Sequence, residues 1–279
     1  MATAHVPTPW LVLEPTARLR PSDLRAAWRA RDVLWILIWR GLKVRYKQTV
    51  IGVGWVVLQP LLTTLVLTTV FGAFARLPSD GLPYAVFAYA GLLPWTYVAQ
   101  AVTESGTSLV HDRQLVTKVY FPRVFLPAAA VLRPLVDLAV AATIAVGMIA
   151  WFHIAPAGRL LALPLFLLVA VVTALGVGLW LAALNVRYRD VGYTLPFLVQ
   201  VWFLASPVAY PVSLVPERWR ALYALNPLVA AIDGVRWTLL GTPAPDAGVL
   251  VAGAGAALAV LVTGALVFRR LERTFADFL

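Results

Sequence analysis

Six stretches of this chain contain no Lys, Arg, Asp or Glu: 48–75, 81–103, 138–158, 160–186, 191–216 and 247–268. The hydrocarbon core of a bilayer is about 30 Å thick and takes roughly 20 apolar residues as a helix. Each stretch is long enough. Only 13% of the residues are charged and 61% are hydrophobic, whereas a soluble domain carries roughly a quarter charged residues. Lipid leaves no solvent partner for the backbone, so such runs are read as helices. The expected fold is an all-α integral membrane protein of six transmembrane helices over 48–268, the third opening near Val124 and taking in two charges.

Six spans place both termini on one side, and the cations say which. Of 23 Lys and Arg, nine precede the first span, three lie in 107–123, two are Arg187 and Arg189, and three follow Phe268. These 17 share one side of the expected topology, against five at Arg76, Arg159, Arg218, Arg220 and Arg236, with Arg133 inside a span. The richer side is cytoplasmic by the positive-inside rule. That makes 1–21 and 269–279 cytoplasmic tails. A formal charge of +10 would suit nucleic acid, but these cations border spans, where anionic membrane lipids account for them. The chain has no cysteine, which excludes disulfides and thiolate metal sites. Residues 1–20 contain prolines and lack an apolar core behind a basic start, unlike a signal peptide.

Two segments outside the spans are structured. Residues 22–47 form an amphipathic interface helix, with Ser22 as N-cap and Asp23 in its first turn. Trp28, Trp35, Ile38, Trp39, Leu42 and Tyr46 recur at helical spacing, while Arg25, Arg29, Arg40, Lys43 and Lys47 gather elsewhere. A basic helix with Trp on its apolar face lies in the membrane interface. It serves as a plain anchor or also docks a partner. In 207–246, "PERWRALYAL" and "PLVAAIDGVRWTLLG" read as two short helices broken at Asn226 and Pro227. Both are too short to span and too apolar for free solvent, so they are expected to dip into the outer leaflet.

Chemistry-bearing motifs are scarce. There is no G-x-x-x-x-G-K-[ST] loop for nucleotide phosphates. His5, His111 and His153 are far apart, so no metal site is expected, and the scattered acids suggest no catalytic pair. Gly253 and Gly255 read as helix-packing positions. Arg133 and Asp137 are four residues apart inside a span and share a helix face. They are either a polar feature of a path or a self-neutralised pair reaching the headgroups. Trp95, Tyr97, Trp151 and Trp219 read as interfacial belts. Tyr89, Trp180, Trp202 and Phe203 fall deeper, and Tyr89, Trp202, Phe203 and Tyr210 are candidates to line a path for sugar rings.

Several phrases carry a family resemblance: "WRGLKVRYKQTVIGVGWVVLQPLL", "AGLLPWTYVAQAV", "SLVHDRQLVTKVYFPR", "LNVRYRDVGYTLPFLVQVWFLASPVAYP", "LVPERWRALYALNPL" and "FRRLERTFADFL". Together and in order, from about residue 20 to the C-terminus, they resemble the permease subunit of bacterial polysaccharide ABC exporters. That is the type-2 branch serving O-antigen, capsule and teichoic acid. The resemblance implies a homodimer in the bacterial plasma membrane, paired with two separate ATPase subunits that bind ATP and Mg. This chain would bind no cofactor itself, and its cargo would be a lipid-linked polysaccharide. The resemblance makes 107–121 a coupling helix on the ATPase, with His111, Asp112, Arg113, Gln114, Lys118, Tyr120 and Phe121 as contacts. It makes Trp28, Arg29, Trp35, Trp39 and Arg40 part of the interface helix, and 211–240 the extracytoplasmic gate helices. Arg133 departs from the small or neutral residue expected before "LVD". Two alternatives stay open: a type-2 exporter of drugs or lipids, and a membrane-embedded transferase.

Overall fold

A computed structural model describes residues 31–47, 53–119 and 121–275, and these form helices and their connections, with no strand among them. The amphipathic helix is α1 (Arg31–Lys47), and α2 (Val53–Leu67) continues as a wider π-helical turn over Thr68–Phe74. Next come α3 (Tyr84–His111), the short α4 (Arg113–Lys118), and α5 (Phe125–Leu132) running into α6 (Pro134–Trp151). The chain continues through α7 (Leu163–Arg187), α8 (Asp190–Leu204), α9 (Glu217–Ala224), α10 (Pro227–Leu240) and α11 (Ala247–Glu272). The Trp28 and Arg29 readings, the Ser22 cap and the Tyr120 reading lie outside the described residues.

The chain is an all-α integral membrane protein. Five of its described helical runs are long and apolar enough to cross a bilayer: Gly54–Phe74, Tyr84–His111, Phe125–Trp151, Gly158–Arg187 and Ala247–Glu272. The run expected at 191–216 behaves differently. Its helix α8 has 15 residues, about 22 Å at 1.5 Å per residue, and ends before a turn at 205–210. A side chain from elsewhere holds that turn. The guanidinium of Arg236 donates to the carbonyls of Val208 (2.6 Å) and Tyr210 (3.3 Å).

Helix α3 is the central post, buried along most of its length from Val86 to Leu109. Against it pack α7, α5, α10 and α6, while α7 packs most extensively on α11. Glycines set the α7–α11 crossing. A Cβ at Gly176 would lie 2.6 Å from the backbone nitrogen of Leu261, and one at Gly264 would strike the carbonyl of Gly176. Two helix backbones approach this closely only where side chains are absent. Of the two expected packing glycines, Gly253 does face a neighbour, with 2.6 Å left to the Ala230 methyl. Gly255 faces open space, so its packing role is not realised within one chain.

Helix α10 shows why a short apolar helix survives here. Its N-cap Asn226 accepts from the amide of Leu228 at 3.1 Å, Pro227 holds the first helical position, and Gly241 closes it with φ of +74°. Cap, proline and left-handed glycine are its start and stop signals. Nearly every residue between them is buried against α3, α7 and α11. Arg236, placed by sequence among the outer loop cations, is 1% exposed in this helix. Its charge lies 3.6 Å over the Phe87 ring, and it also donates to the Phe87 carbonyl at 3.2 Å.

Candidate functional site

A cavity of about 1030 Å³ lies between α1, α2, α3, α6 and α8. Charge gathers at one end of it. Arg45 on α1 donates to Asp137 on α6 at 2.7 Å and also to Glu104 on α3. The Tyr46 hydroxyl donates to the other Asp137 oxygen. Gln100 donates to Asp137 at 3.0 Å and to Glu104 at 3.3 Å. Both carboxylates are therefore spent on donors from α1 and α3, and a buried carboxylate persists only on such terms. Burial first, then the Asp137 hydrogen bond, push the Tyr46 hydroxyl up to about 12. It remains a donor.

This arrangement corrects the expected Arg133–Asp137 pair. Arg133 sits where Pro134 interrupts the α5–α6 run. Its Nε lies 4.0 Å from Glu104 and 3.3 Å from its own helix carbonyl at Ala129, while Asp137 is taken by Arg45. The partners come from α1 because Gly41 lets that helix lie directly on the Arg133 side chain. Arg45, Gln100 and Glu104 were not singled out from sequence, and Tyr46 was read only as part of the apolar face of 22–47. The signal available was Glu104 itself, the charge that ends the 81–103 run while the helix continues to His111.

Away from the charges the wall is aromatic and amide. Trp55 and Gln59 come from α2, Trp95 and Thr96 from α3, and Gln200 and Phe203 from α8. Trp95 packs edge-on to Phe203 at 5.4 Å and to Trp202 at 6.1 Å. Trp95 and Tyr97, read from sequence as belt residues, are buried in the middle of α3 and line this cavity. Trp151 at 81% exposed and Trp219 at 52% do face outward.

The chain from residue 32 to 240 matches the family model for ABC-2 type transporters. It belongs to the ABC-2 type transporter family. Curated relatives of this family member include the O-antigen export system permease protein RfbA of Myxococcus xanthus. That protein is 29% identical over 256 residues, covering 91% of this chain and 98% of the relative. An O-antigen export system permease protein RfbA of Klebsiella pneumoniae is 26% identical, covering 89% of this chain and 95% of the relative. The polysialic acid transport protein KpsM of Escherichia coli is 22% identical, covering 71% and 77%.

The expected path residues of this ABC-2 protein do not all meet. Phe203 lines the cavity. Trp202 lines a smaller cleft with Trp219 and Tyr223, and its indole donates to Asn226 at 3.1 Å. Tyr210 gives its hydroxyl to the Leu204 carbonyl and accepts from Tyr223, each at 3.0 Å. Tyr89 is buried in the core behind the wall, donating to the Ala141 carbonyl at 2.9 Å. Trp180, on α7, donates to Thr263 at 3.1 Å.

The segment expected to couple, 107–121, is also divided. Residues 107–111 finish α3, the helix breaks at Asp112, and α4 follows. His111, Arg113, Gln114 and Lys118 are exposed. Asp112 instead turns onto Arg40 of α1 at 3.3 Å. Phe121 packs half-buried on a second core cluster that includes Val116, Leu126 and Phe268, so it supports the segment from within. On α1, Trp35 and Trp39 stack 6.4 Å apart and are both exposed beside Arg40 and Lys43.

Proposed function

We propose that this chain is the permease subunit of an ATP-driven ABC exporter that moves a lipid-linked, O-antigen-like polysaccharide across the bacterial plasma membrane. The cavity supports this reading most: about 1030 Å³ whose wall carries, among aliphatic side chains, aromatic rings, amides and hydroxyls, groups that stack on sugar C–H faces and bond sugar hydroxyls. ATP hydrolysis belongs to two copies of a separate subunit carrying ATP and Mg, and two copies of this chain form the pathway. With α8 and its following turn as a sixth crossing, both termini lie in the cytoplasm. The exposed α4 segment then faces the ATPase, while α9 and α10 gate the outer side. Deleting the gene should abolish surface polysaccharide and leave lipid-linked glycan inside the cell. This chain supplied with its ATPase should restore the surface glycan; a deletion strain with normal surface glycan refutes the reading.

A further inference from the structure

Two amides on the cavity wall are used by nothing around them. Gln59 on α2 and Gln200 on α8 line the cavity and are exposed, and neither side chain has a hydrogen-bond partner among the described residues. Both belong to stretches free of charge, 48–75 and 191–216. An unsatisfied amide turned to hydrocarbon is costly, so polar groups at such depth face a water-filled path or a partner.

Each amide stands beside a ring on its own helix. Trp55 precedes Gln59 by four residues and Phe203 follows Gln200 by three, so each pair shares a face. Trp95 stands against Phe203 at 5.4 Å. A ring to stack on and an amide with two donors and an acceptor is the chemistry a pyranose needs: an apolar C–H face and a rim of hydroxyls.

The charges of the same wall narrow the sugar. The lining holds one guanidinium, Arg45, and two carboxylates, Glu104 and Asp137, and Arg45 is committed to both of them. Arg133 adds its Nε to Glu104 at 4.0 Å from outside the lining, so the cluster is balanced, and a sugar carboxylate entering there meets no uncommitted cation, which selects against it. We propose that Trp55, Gln59, Gln200 and Phe203 form a subsite for neutral pyranose rings that discriminates against uronate- and sialate-bearing glycans. This rests on the exporter reading and adds the class of sugar. The other occupant that would satisfy the amides is a second copy of the chain.

The test uses the full chain purified in detergent, with maltoheptaose as neutral probe and heptagalacturonate as acidic probe, read by saturation-transfer NMR. Maltoheptaose ring protons should receive saturation. Its Kd should rise about tenfold in the Gln59→Leu/Gln200→Leu variant, and heptagalacturonate should bind about tenfold more weakly than maltoheptaose. Because the chain has no cysteine, Gln59→Cys gives a second readout. Its reaction with a water-soluble thiol reagent should be slowed about fivefold by maltoheptaose and not by heptagalacturonate. Equal or tighter binding of the acidic probe, no binding of maltoheptaose, or an unchanged double variant overturns the proposal. So does a double variant that loses its dimer while sugar binding persists, which assigns the amides to a subunit interface. If the chain restores surface glycan in the deletion strain but fails these tests, the subsite is wrong and the exporter reading stands.

Discussion

Arg45 reaches Asp137 at 2.7 Å across 92 residues of sequence and holds Glu104 with the same guanidinium. One side chain therefore ties the amphipathic helix to two core helices at the charged end of the cavity. Removing Arg45 alone leaves Asp137 to Tyr46 and Gln100, with no cation beside it among the described residues, and leaves Glu104 to Gln100 and the more distant Arg133. Arg45→Met is expected to destabilise the protein by about 1–3 kcal/mol, the cost of leaving buried polar groups unpaired. The triple variant Arg45→Met/Glu104→Gln/Asp137→Asn should recover most of that loss, because Arg45 leaves together with both its carboxylates while Arg133 keeps the Ala129 carbonyl. Thermal unfolding in detergent measures both. A triple variant no more stable than the single one shows that the ionic pairing is not what holds these helices.

Arg236 pins the turn that follows α8. It meets the carbonyls of Phe87, Val208 and Tyr210, so it joins α10 to α3 and to the chain beyond α8. Arg236→Met keeps the stem but leaves three carbonyls without their donor, at a cost of about 3 kcal/mol or more. The change should also expose the 205–210 turn. Limited proteolysis from the outer side should cut it faster than wild type, at a site near residue 208. Resistance equal to wild type would show that packing alone holds the turn.

The parts of this fold legible in the sequence are those decided locally. Charge-free runs place the long apolar helices, and Asn226, Pro227 and Gly241 bound α10 because caps act within a few residues. What could not be read depends on partners far along the chain. The 191–216 run passes for an ordinary span because nothing local shows that Arg236 will claim the carbonyls after α8. Trp95 passes for a belt residue because the charge-free run stops at Glu104. The helix itself continues to His111, with Glu104 neutralised by an arginine 59 residues earlier. For the site, aromatic content pointed toward a sugar path, and Phe203 lines the cavity proposed for it. Tyr89 does not, because burial of an individual ring depends on which face its helix turns inward.

The α7–α11 crossing gives a sharp packing test. A side chain at Gly264 would collide with the Gly176 carbonyl, which is backbone and cannot rotate away. Gly264→Leu is expected to cost about 3 kcal/mol, the upper end for overpacking, while Gly255→Leu, facing open space, should be tolerated. Monodispersity after detergent extraction separates the two. Similar behaviour of both variants would mean the helices do not cross at Gly176 and Gly264.

The segment 107–121, proposed to couple to an ATPase, is tied to α1. Its exposed residues Gln114 and Lys118 have no side-chain hydrogen-bond or ion-pair partner among the described residues, whereas Asp112 and Phe121 turn inward, one onto Arg40 and the other onto the Leu126 cluster. A short helix fixed at both ends and packed through Val116 on the core cluster transmits a push instead of absorbing it. Under the exporter reading, a cysteine at Gln114 should cross-link to the ATPase subunit. Asp112→Asn should leave that cross-link intact while lowering export per ATP hydrolysed, because only the link to α1 is weakened; an exposed pair of this kind is worth at most about 1 kcal/mol of stability, so insertion should not suffer. Tyr120→Ala removes an aromatic of the kind that anchors interfaces and should uncouple ATP hydrolysis from export without blocking membrane insertion. ATPase rate and surface glycan, measured on the same membranes, report the coupling. If the ATPase cross-links only through the 187–190 loop, and the Tyr120 variant exports normally, the segment is not the lever and the push enters the membrane elsewhere.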